Sequence, residues 1–405
     1  MVEINPFRAY RYNDNKIKEI SDVIAPPWDV IDKSLERHLT ESSPFNIINL
    51  ISKSYTPHNV KENFNKWITD GVLTQDEEDG FYFMKHNFKW MEKDFTRKGF
   101  FAILRLEDFK TGKIIPHERI FENYSINRYQ LIKTCKANFS PIFMLYQDTS
   151  FTVEEIMDKT PLTSIGHTAD KEMFEFGRIL NNKDIQSIKG TVSQGNLIIA
   201  DGHHRYNAAL RHYIDHPTPE NSFVLVFMVN INSPDVLILP THRYIPSGVS
   251  FTASIDTFRR YFHIREAADL KTISDTLNGE KSNAFGVYEN SRFYIITLKN
   301  INDVKEHIAG NFSDKWITLD TALLHEFVLP YLFDRQPKEI IYHQQPEYLM
   351  DEYKKRNSGV IFFLKAVDKQ HFIDISFNKE LMPQKTTYFY PKVPSGLVIY
   401  KFDEQ

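Results

Sequence analysis

The segment Asp201-Gly202-His203-His204-Arg205 combines residue types that suit the binding of a phosphate-bearing ligand. It follows residues 196–200, an asparagine and four apolar residues, which predict a short buried strand. Apolar residues then recur at helical spacing over residues 202–213, which predicts a helix starting at the segment. The start of a helix presents unpaired backbone N–H groups and a partial positive charge, and both attract anions. Gly202 lets the backbone approach a ligand closely, and Arg205 can form paired hydrogen bonds with a phosphate.

Asp201 admits several roles in this setting: it could cap the helix, orient a histidine or hold a magnesium ion. The structural alternative is that Asp201 is only an N-cap and that the two histidines are packed or solvated. Because two histidines and an arginine follow the Asp-Gly pair directly, we favour a functional segment.

Three further places could contribute to a site. Pro116-His117-Glu118 leaves an apolar stretch, and a carboxylate there could act as general base toward a hydroxyl, although residue types alone favour a surface glutamate. Leu239-Pro240-Thr241-His242-Arg243 fits either a wall of a binding cleft or a common strand exit. His325, on a helix predicted over residues 320–329 and ended or kinked by Pro330, is expected to be structural.

Metal and thiol chemistry find little support in the sequence. His117, His203, His204 and His242 could cluster, but no spaced Cys/His set and no His-x-x-x-His pair indicates a zinc site. The single cysteine, Cys135, excludes an internal disulfide and is expected to be buried.

Composition restricts the class of protein. The 405 residues carry 49 basic and 53 acidic side chains, a net charge of −4. Without a basic excess or stripe, a nucleic-acid partner is not expected. The longest apolar run has seven residues, 223–229, which suits a buried strand but cannot span a bilayer, and no secretory signal is recognisable. We therefore expect a soluble cytoplasmic protein without a membrane partner, whereas the oligomeric state is not predictable.

The elements that would position these residues indicate a mixed α/β fold. Residues 196–231 read as strand, turn, helix and strand, the setting in which ligands bind at the carboxyl ends of strands. Upstream, helices are predicted near residues 32–39, 60–69 and 125–136, and strands over 80–90, 98–106 and 142–146. The length suggests two or three domains, which we place at residues 1–97, 98–249 and 250–405.

The Asp201–Arg205 segment, with its preceding strand and following helix, resembles the nucleotide-binding motif of the ParB/sulfiredoxin-like superfamily. Within that superfamily it is most similar to the free-serine kinases, which carry an Asp-Gly-His-His-Arg turn and take their catalytic glutamate from an upstream Pro-(His)-Glu segment. Pro116-His117-Glu118 matches that segment in order and approximate distance. The resemblance implies a central ParB/sulfiredoxin-like domain flanked by N- and C-terminal α/β segments.

The whole chain also resembles a widespread prokaryotic family long labelled as of unknown function. Tryptophan stands at position 28, where that family more often has tyrosine. Besides the segments above, the resemblance rests on Ala25-Pro26-Pro27-Trp28-Asp29-Val30, Asn138-Phe139-Ser140-Pro141-Ile142-Phe143 and Lys385-Thr386-Thr387-Tyr388-Phe389-Tyr390-Pro391-Lys392.

The resemblance implies a kinase that uses ATP, or ADP, with Mg²⁺ to phosphorylate free L-serine to O-phospho-L-serine. Glu118 would be the base, with Asp201 and His203 as further catalytic residues and Asp201 as the Mg²⁺ ligand. The C-terminal domain would close over the amino acid. The remaining implied roles are nucleotide binding by Gly202, His203, His204 and Arg205, and substrate binding by His117, His242, Arg243 and Lys385.

A second class of function remains open. The chain could be a nucleotide-gated interaction or regulatory protein of the ParB type, in which slow nucleotide hydrolysis switches a partner. ParB proteins usually add a basic surface for DNA, and the net charge of −4 argues against that version. A protein partner would still be compatible with the sequence.

Overall fold

The protein has a mixed α/β fold, as predicted, in a computed structural model that describes residues 1–119, 122–168 and 172–402. The chain divides into two compact units. Unit 1 comprises residues 1–116, 120–237 and 391–405, and unit 2 comprises residues 117–119 and 238–390. The three-domain division made from the sequence stays a prediction.

The strands fall into several sheets. In chain order they are β1 (Ile4–Asn5), β2 (Tyr10–Tyr12), β3 (Leu73–Gln75), β4 (Phe81–Trp90), β5 (Lys93–Arg105), β6 (Ile114–Pro116), β7 (Ala137–Asn138), β8 (Ile142–Tyr146), β9 (Leu162–His167), β10 (Met173–Ile179), β11 (Leu197–Asp201), β12 (Phe223–Asn230), β13 (Leu237–Leu239), β14 (His242–Ile245), β15 (Phe262–Ala267), β16 (Ala284–Glu289), β17 (Arg292–Leu298), β18 (Ile341–His343), β19 (Val360–Phe363), β20 (Tyr388–Tyr390) and β21 (Tyr400–Lys401).

The α-helices confirm the predicted positions near residues 32–39, 60–69, 125–136 and 202–213. In chain order they are α1 (Lys33–Ser42), α2 (Ile48–Ile51), α3 (Pro57–Thr69), α4 (Glu122–Cys135), α5 (Thr152–Lys159), α6 (Asn182–Ser193), α7 (His203–Asp215), α8 (Ile255–Tyr261), α9 (Leu270–Gly279), α10 (Asn302–Lys305), α11 (Asp314–Ile317), α12 (Asp320–Leu323), α13 (Pro346–Arg356) and α14 (Lys369–Phe377).

Unit 1 is built on a large mixed sheet with the strand order β6-β11-β8-β12-β5-β4-β10-β9, and β1 pairs with β5. The strand β11 runs parallel to its neighbour β6 and antiparallel to β8. All residues of β11 before Asp201 are buried, which explains why this strand reads as a continuous apolar run. The sheet therefore holds the end of β11, where the Asp201–Arg205 segment begins, in a fixed place.

Two hydrophobic clusters stabilise unit 1. The larger packs the main sheet against α6 and α7, and the smaller packs α2 and α3 against residues near Ala25. Cys135 belongs to the smaller cluster, and burial raises the pKa of its thiol to about 12, so the thiol stays protonated. The expectation of a buried cysteine is confirmed.

Residues 391–402 return to unit 1 after the whole of unit 2. Ala25 and Ser395 exchange two backbone hydrogen bonds, of 3.2 and 2.7 Å, and β21 pairs with β7. The backbone carbonyl of Pro391 accepts a hydrogen bond from the buried Arg97 guanidinium. These contacts hold residues 391–402 against the rest of unit 1.

Unit 2 contains a six-stranded antiparallel sheet with the order β15-β17-β16-β19-β14-β18. A hydrophobic cluster on α9 and α13 packs against this sheet. The helix predicted over residues 320–329 begins at Asp320 as expected, but Pro330 does not end it. The chain continues as a π-helix over Leu324–Leu332, and this wider helix accommodates the missing N–H of Pro330.

Within the described ranges, none of the helices combines the length and the apolar character that crossing a membrane would need.

Candidate functional site

The turn between β11 and α7 has the geometry that its sequence predicts. Gly202 is the N-cap residue of α7 and adopts a left-handed conformation, with φ +90° and ψ +28°. Asp201 is the last residue of β11 and so is not the N-cap, contrary to the structural alternative. The guanidinium of Arg205 packs on Gly202, where a Cβ atom would lie 3.0 Å from Cζ, Nε and Nη2. The backbone conformation therefore favours glycine here, and a Cβ atom would also press on the Arg205 guanidinium.

Asp201 is held between two cations. Its Oδ2 atom accepts a hydrogen bond from Nη2 of Arg205 at 2.9 Å, and its Oδ1 atom accepts one from Nζ of Lys392 at 3.1 Å. The Arg205 guanidinium also donates to the backbone carbonyl of Pro141. The carboxylate thus positions two cationic groups at the start of α7, where the helix itself favours an anion.

The histidines of the turn occupy the first two positions of α7. His203 is buried and His204 is half-buried. The turn therefore combines the backbone of a helix start with two imidazoles, one guanidinium and one ammonium group. Lys392 was missed as a site residue by sequence reasoning, although it ends the aromatic segment that the family resemblance picks out.

Substitution of Gly202 tests this geometry directly. We expect Gly202→Ala to destabilise the fold by about 1–2 kcal/mol, because a non-glycine residue is strained at this φ, and to displace the Arg205 guanidinium. Binding of nucleotide, measured by calorimetry, should weaken as a result. Gly190→Ala is the matched control, since a Cβ atom at Gly190 in α6 meets no atom within 4 Å. Wild-type nucleotide affinity in Gly202→Ala would contradict the role assigned to the turn.

The strand β6 brings Pro116 next to β11. Leu197, Ile198 and Ile199 pair in parallel register with Ile114, Ile115 and Pro116. Because β6 lies at the edge of the sheet, a proline without an N–H group is tolerated in it. Both strands end at the same edge of the sheet, and the chain leaves β6 toward His117 and Glu118.

In unit 2, His117 and Glu118 are fixed by the segment near Met382. The N–H of Met382 donates to the carbonyl of His117 at 2.8 Å. The buried His117 ring bonds through Nε2 to Oγ1 of Thr387 at 2.8 Å. Glu118 Oε1 lies 3.8 Å from the same Nε2, and the Glu118 side chain is 16% exposed. Glu118 is therefore partly accessible to solvent, and hydrogen bonds fix the residues around it.

Arg243 shares this environment with Glu118. It is fully buried, and burial lowers its pKa to about 10, while the charges of Tyr342 and Glu118 act in the opposite direction. Its Nη1 and Nη2 atoms donate to the carbonyl oxygens of Thr241, Gln384 and Lys385. The Nε atom is buried and has no hydrogen-bond partner within the described part of the chain.

The other residues predicted to bind substrate lie in the same unit. His242 accepts a hydrogen bond from the N–H of Leu364 at 3.1 Å through Nδ1, and burial lowers its pKa to about 3, so the ring is neutral. Lys385 is exposed, with a left-handed backbone at φ +57°. His325 is likewise neutral, since burial and then the charge of Arg243 lower its pKa to about 3. This agrees with a structural histidine.

The described residues do not fit a protein-held magnesium ion at Asp201. Each carboxylate oxygen already accepts a hydrogen bond from a cation, so the group has no uncompensated charge to offer. Over residues 1–119, 122–168 and 172–402, no group of three or more His, Cys, Asp or Glu side chains is arranged to hold a metal ion.

Comparison with known proteins identifies the family. A model described as "Protein of unknown function (DUF1015)" matches residues 4–322. The chain belongs to this family. None of the curated proteins matches it.

Among solved structures, this DUF1015 chain is similar to three proteins at TM-scores of 0.37–0.39. A conserved hypothetical protein from Pyrococcus furiosus has 13% identity over 74% of this chain and 94% of its own, with a TM-score of 0.38. A free serine kinase in complex with AMP has 14% identity over 73% and 92%, with a TM-score of 0.37. SbnI from Staphylococcus aureus, with a C-terminal truncation, has 10% identity over 74% and 86%, with a TM-score of 0.39.

Proposed function

We propose that the protein is a small-molecule kinase that transfers the terminal phosphoryl group of a nucleotide to the hydroxyl of free L-serine. The observation that carries this proposal is the parallel pairing of β6 with β11. The Asp201–Arg205 turn follows β11, and Pro116-His117-Glu118 follows β6. These are the two segments that the resemblance to free-serine kinases assigns to nucleotide binding and to the catalytic base.

The chain itself limits how far Glu118 can be from β6. Pro116 pairs with Ile199, two residues before Asp201, and Glu118 follows Pro116 by two residues. Two residues of extended chain span at most about 7 Å. This covalent limit supports the proposal that a carboxylate from one segment and phosphate-binding groups from the other serve one reaction.

The turn supplies what phosphoryl transfer chiefly requires, which is positioning and neutralisation of charge. In the proposal, the backbone at the start of α7 and the side chains of His203, His204 and Arg205 bind the phosphates. Pairing with Asp201 keeps Arg205 in place at 2.9 Å before the nucleotide arrives. Binding then exchanges one or more of these internal contacts for contacts with phosphate oxygens.

Glu118 would accept the proton of the serine hydroxyl as its oxygen attacks the terminal phosphorus. The new bond joins serine Oγ to phosphorus, and the bond from that phosphorus to the bridging oxygen of the nucleotide breaks. The shortened nucleotide leaves with the electron pair, and the product is O-phospho-L-serine. We assign the serine carboxylate to the Nε–H of Arg243, because this buried donor has no hydrogen-bond partner among the described residues.

The proposal predicts a specific product. The purified chain, incubated with ATP or ADP, magnesium chloride and each of the twenty amino acids, should yield O-phosphoserine from L-serine, detected by phosphorus NMR. O-Methyl-L-serine, which has no free hydroxyl, should give no product. L-Serine methyl ester should react poorly, since it has no carboxylate to pair with Arg243.

The outcomes separate the two classes of function. Phosphorylation of another amino acid would support the kinase activity but show that the acceptor is not L-serine. Slow nucleotide hydrolysis that no amino acid accelerates would overturn the kinase and favour the nucleotide-gated interaction protein.

A further inference from the structure

A cavity of about 40 Å³ in unit 1 is lined by two arginines, Arg128 on α4 and Arg205 on α7. Most of its other lining side chains are apolar, among them Leu131, Ile132 and Val224. Like charges that line one small apolar cavity repel each other and are poorly solvated. Such an arrangement is stabilised when an anion binds between them.

Arg128 is only partly satisfied by the protein. Its side chain is buried, with the residue 7% exposed, and Nη2 donates to the carbonyl of Ile51 at 2.9 Å. The Nε atom is buried without a hydrogen-bond partner among the described residues. Burial, and secondly the charge of Arg205, lower the pKa of Arg128 to about 9. An unpaired buried donor of this kind is costly unless a ligand completes it.

The ring of Trp28 contacts Arg128 and a second cation, Lys53. Nζ of Lys53 lies 3.8 Å from the ring centroid, and Cζ of Arg128 lies 4.3 Å from it. Tryptophan binds cations on its ring faces more strongly than the other aromatic residues do. The Ala25–Val30 segment, for which the proposed function gives no role, thus supplies the side chain that orients Arg128.

Other charged side chains lie near the two arginines of the cavity. Arg205 pairs with Asp201, which Lys392 also contacts. The negative charge of Asp29 opposes the fall in the pKa of Arg128.

The size of the cavity restricts the ligand. A single water needs roughly 10–15 Å³, so a cavity of about 40 Å³ accommodates approximately three to four oxygen-sized atoms. This suits one phosphate group and excludes a nucleoside. Guanidinium groups bind phosphate oxygens in pairs of hydrogen bonds, which is the contact that Nε and Nη atoms provide.

We propose that Arg128 and Arg205 together bind one phosphate group in this cavity, and that Trp28 is a positioning residue that holds Arg128 for that contact. The inference rests on the proposed function in one respect: the phosphate belongs to the nucleotide. Binding of the phosphate itself requires neither serine nor transfer.

The probes are inorganic phosphate, which fits the cavity, and pyrophosphate, which would place one of its two phosphate groups there. Both are titrated into the full chain by calorimetry. We expect Arg128→Gln to weaken pyrophosphate binding by about 10- to 100-fold, the range for a lost charge-assisted contact. Arg105→Gln is the matched control, since Arg105 is a half-exposed arginine of the same unit that pairs with Glu3 at 3.3 Å. It should bind pyrophosphate as the wild type does.

Variants at Trp28 test positioning separately from folding. Trp28→Ala should weaken pyrophosphate binding by about tenfold, and Trp28→Phe should restore most of it, because phenylalanine also attracts cations, though less strongly. A purely structural role would instead change the melting temperature and leave the affinity of the folded protein unchanged. If Arg128→Gln does not fold, Arg128→Lys keeps the charge but loses the paired contact and should still bind pyrophosphate several-fold more weakly.

The results distinguish this inference from the kinase. Pyrophosphate binding that depends on Arg128, in a protein that phosphorylates no amino acid, would support the phosphate site and overturn the kinase. Product formation with unchanged pyrophosphate and nucleotide affinity in Arg128→Gln would overturn the phosphate site alone. Absence of pyrophosphate binding by the wild type would also overturn it.

Discussion

Replacing Glu118 by glutamine is expected to lower turnover by about 10²–10⁴-fold, the range typical of a lost acid–base group. Glutamine preserves the shape of the side chain and its hydrogen bonding but cannot accept the serine proton. Nucleotide affinity should stay within a few-fold, because the residue is assigned to the acceptor hydroxyl. A fall in kcat without a matching loss of binding is what removing a contact made only in the transition state produces.

The control for Glu118→Gln is Glu266→Gln, an exposed glutamate of unit 2 that lies 3.7 Å from Arg292. It removes the same charge and should leave turnover unchanged. If Glu118→Gln retained more than about a third of the wild-type kcat at saturating serine and nucleotide, far above the expected range, Glu118 would not be the base. Asp201 or a histidine of the turn would then be tested in its place.

Replacing Arg205 by alanine should weaken nucleotide binding by about 10- to 100-fold, since hydrogen bonds to charged groups contribute about 1.5–3 kcal/mol. The loss has two parts. The guanidinium no longer reaches phosphate oxygens, and Asp201 loses its ion pair with Arg205, so its negative charge opposes the incoming anion more strongly. Calorimetric titration of ATP and of ADP measures the effect.

Arg211→Ala is the matched control for Arg205→Ala, because Arg211 is an exposed arginine on the same helix, α7. Melting temperatures of the two variants would show whether either substitution disturbs the fold. An Arg205→Ala protein that is folded and binds nucleotide with wild-type affinity would place the phosphates elsewhere.

Local patterns were enough to predict the elements of the turn. The apolar run before Asp201 and the helical spacing after Gly202 are short-range features, and the structure has β11 over Leu197–Asp201 and α7 over His203–Asp215. The same holds for α3 at Pro57–Thr69, which Gly71 follows with φ +66°. In each case the periodicity and the ending residue lie within one element, so the sequence determines them directly.

Long-range partners were not predictable in this way. Lys392 contacts Asp201 across 191 positions of the chain, and nothing in the local pattern singles out Arg128 on α4 or Lys53 before α3.

The hairpin between β4 and β5 shows a different limit. Its turn residues Met91 and Glu92 both have positive φ, a conformation usually taken by Asn-Gly or Asp-Gly. Because neither residue signals a tight turn, the second strand was predicted to begin at residue 98, whereas β5 begins at Lys93.

The return of residues 391–402 to unit 1 has a consequence for synthesis. The ribosome must add residues 238–390 before Lys392 exists, which takes about 8–30 s at roughly 5–20 residues per second. During that time unit 1 has neither the backbone pairing of Ala25 with Ser395 nor the ammonium group that contacts Asp201. A nascent chain can therefore form most of the large sheet early, but the end of β11, where we propose that phosphate binds, gains the charge of Lys392 only after unit 2 has been made.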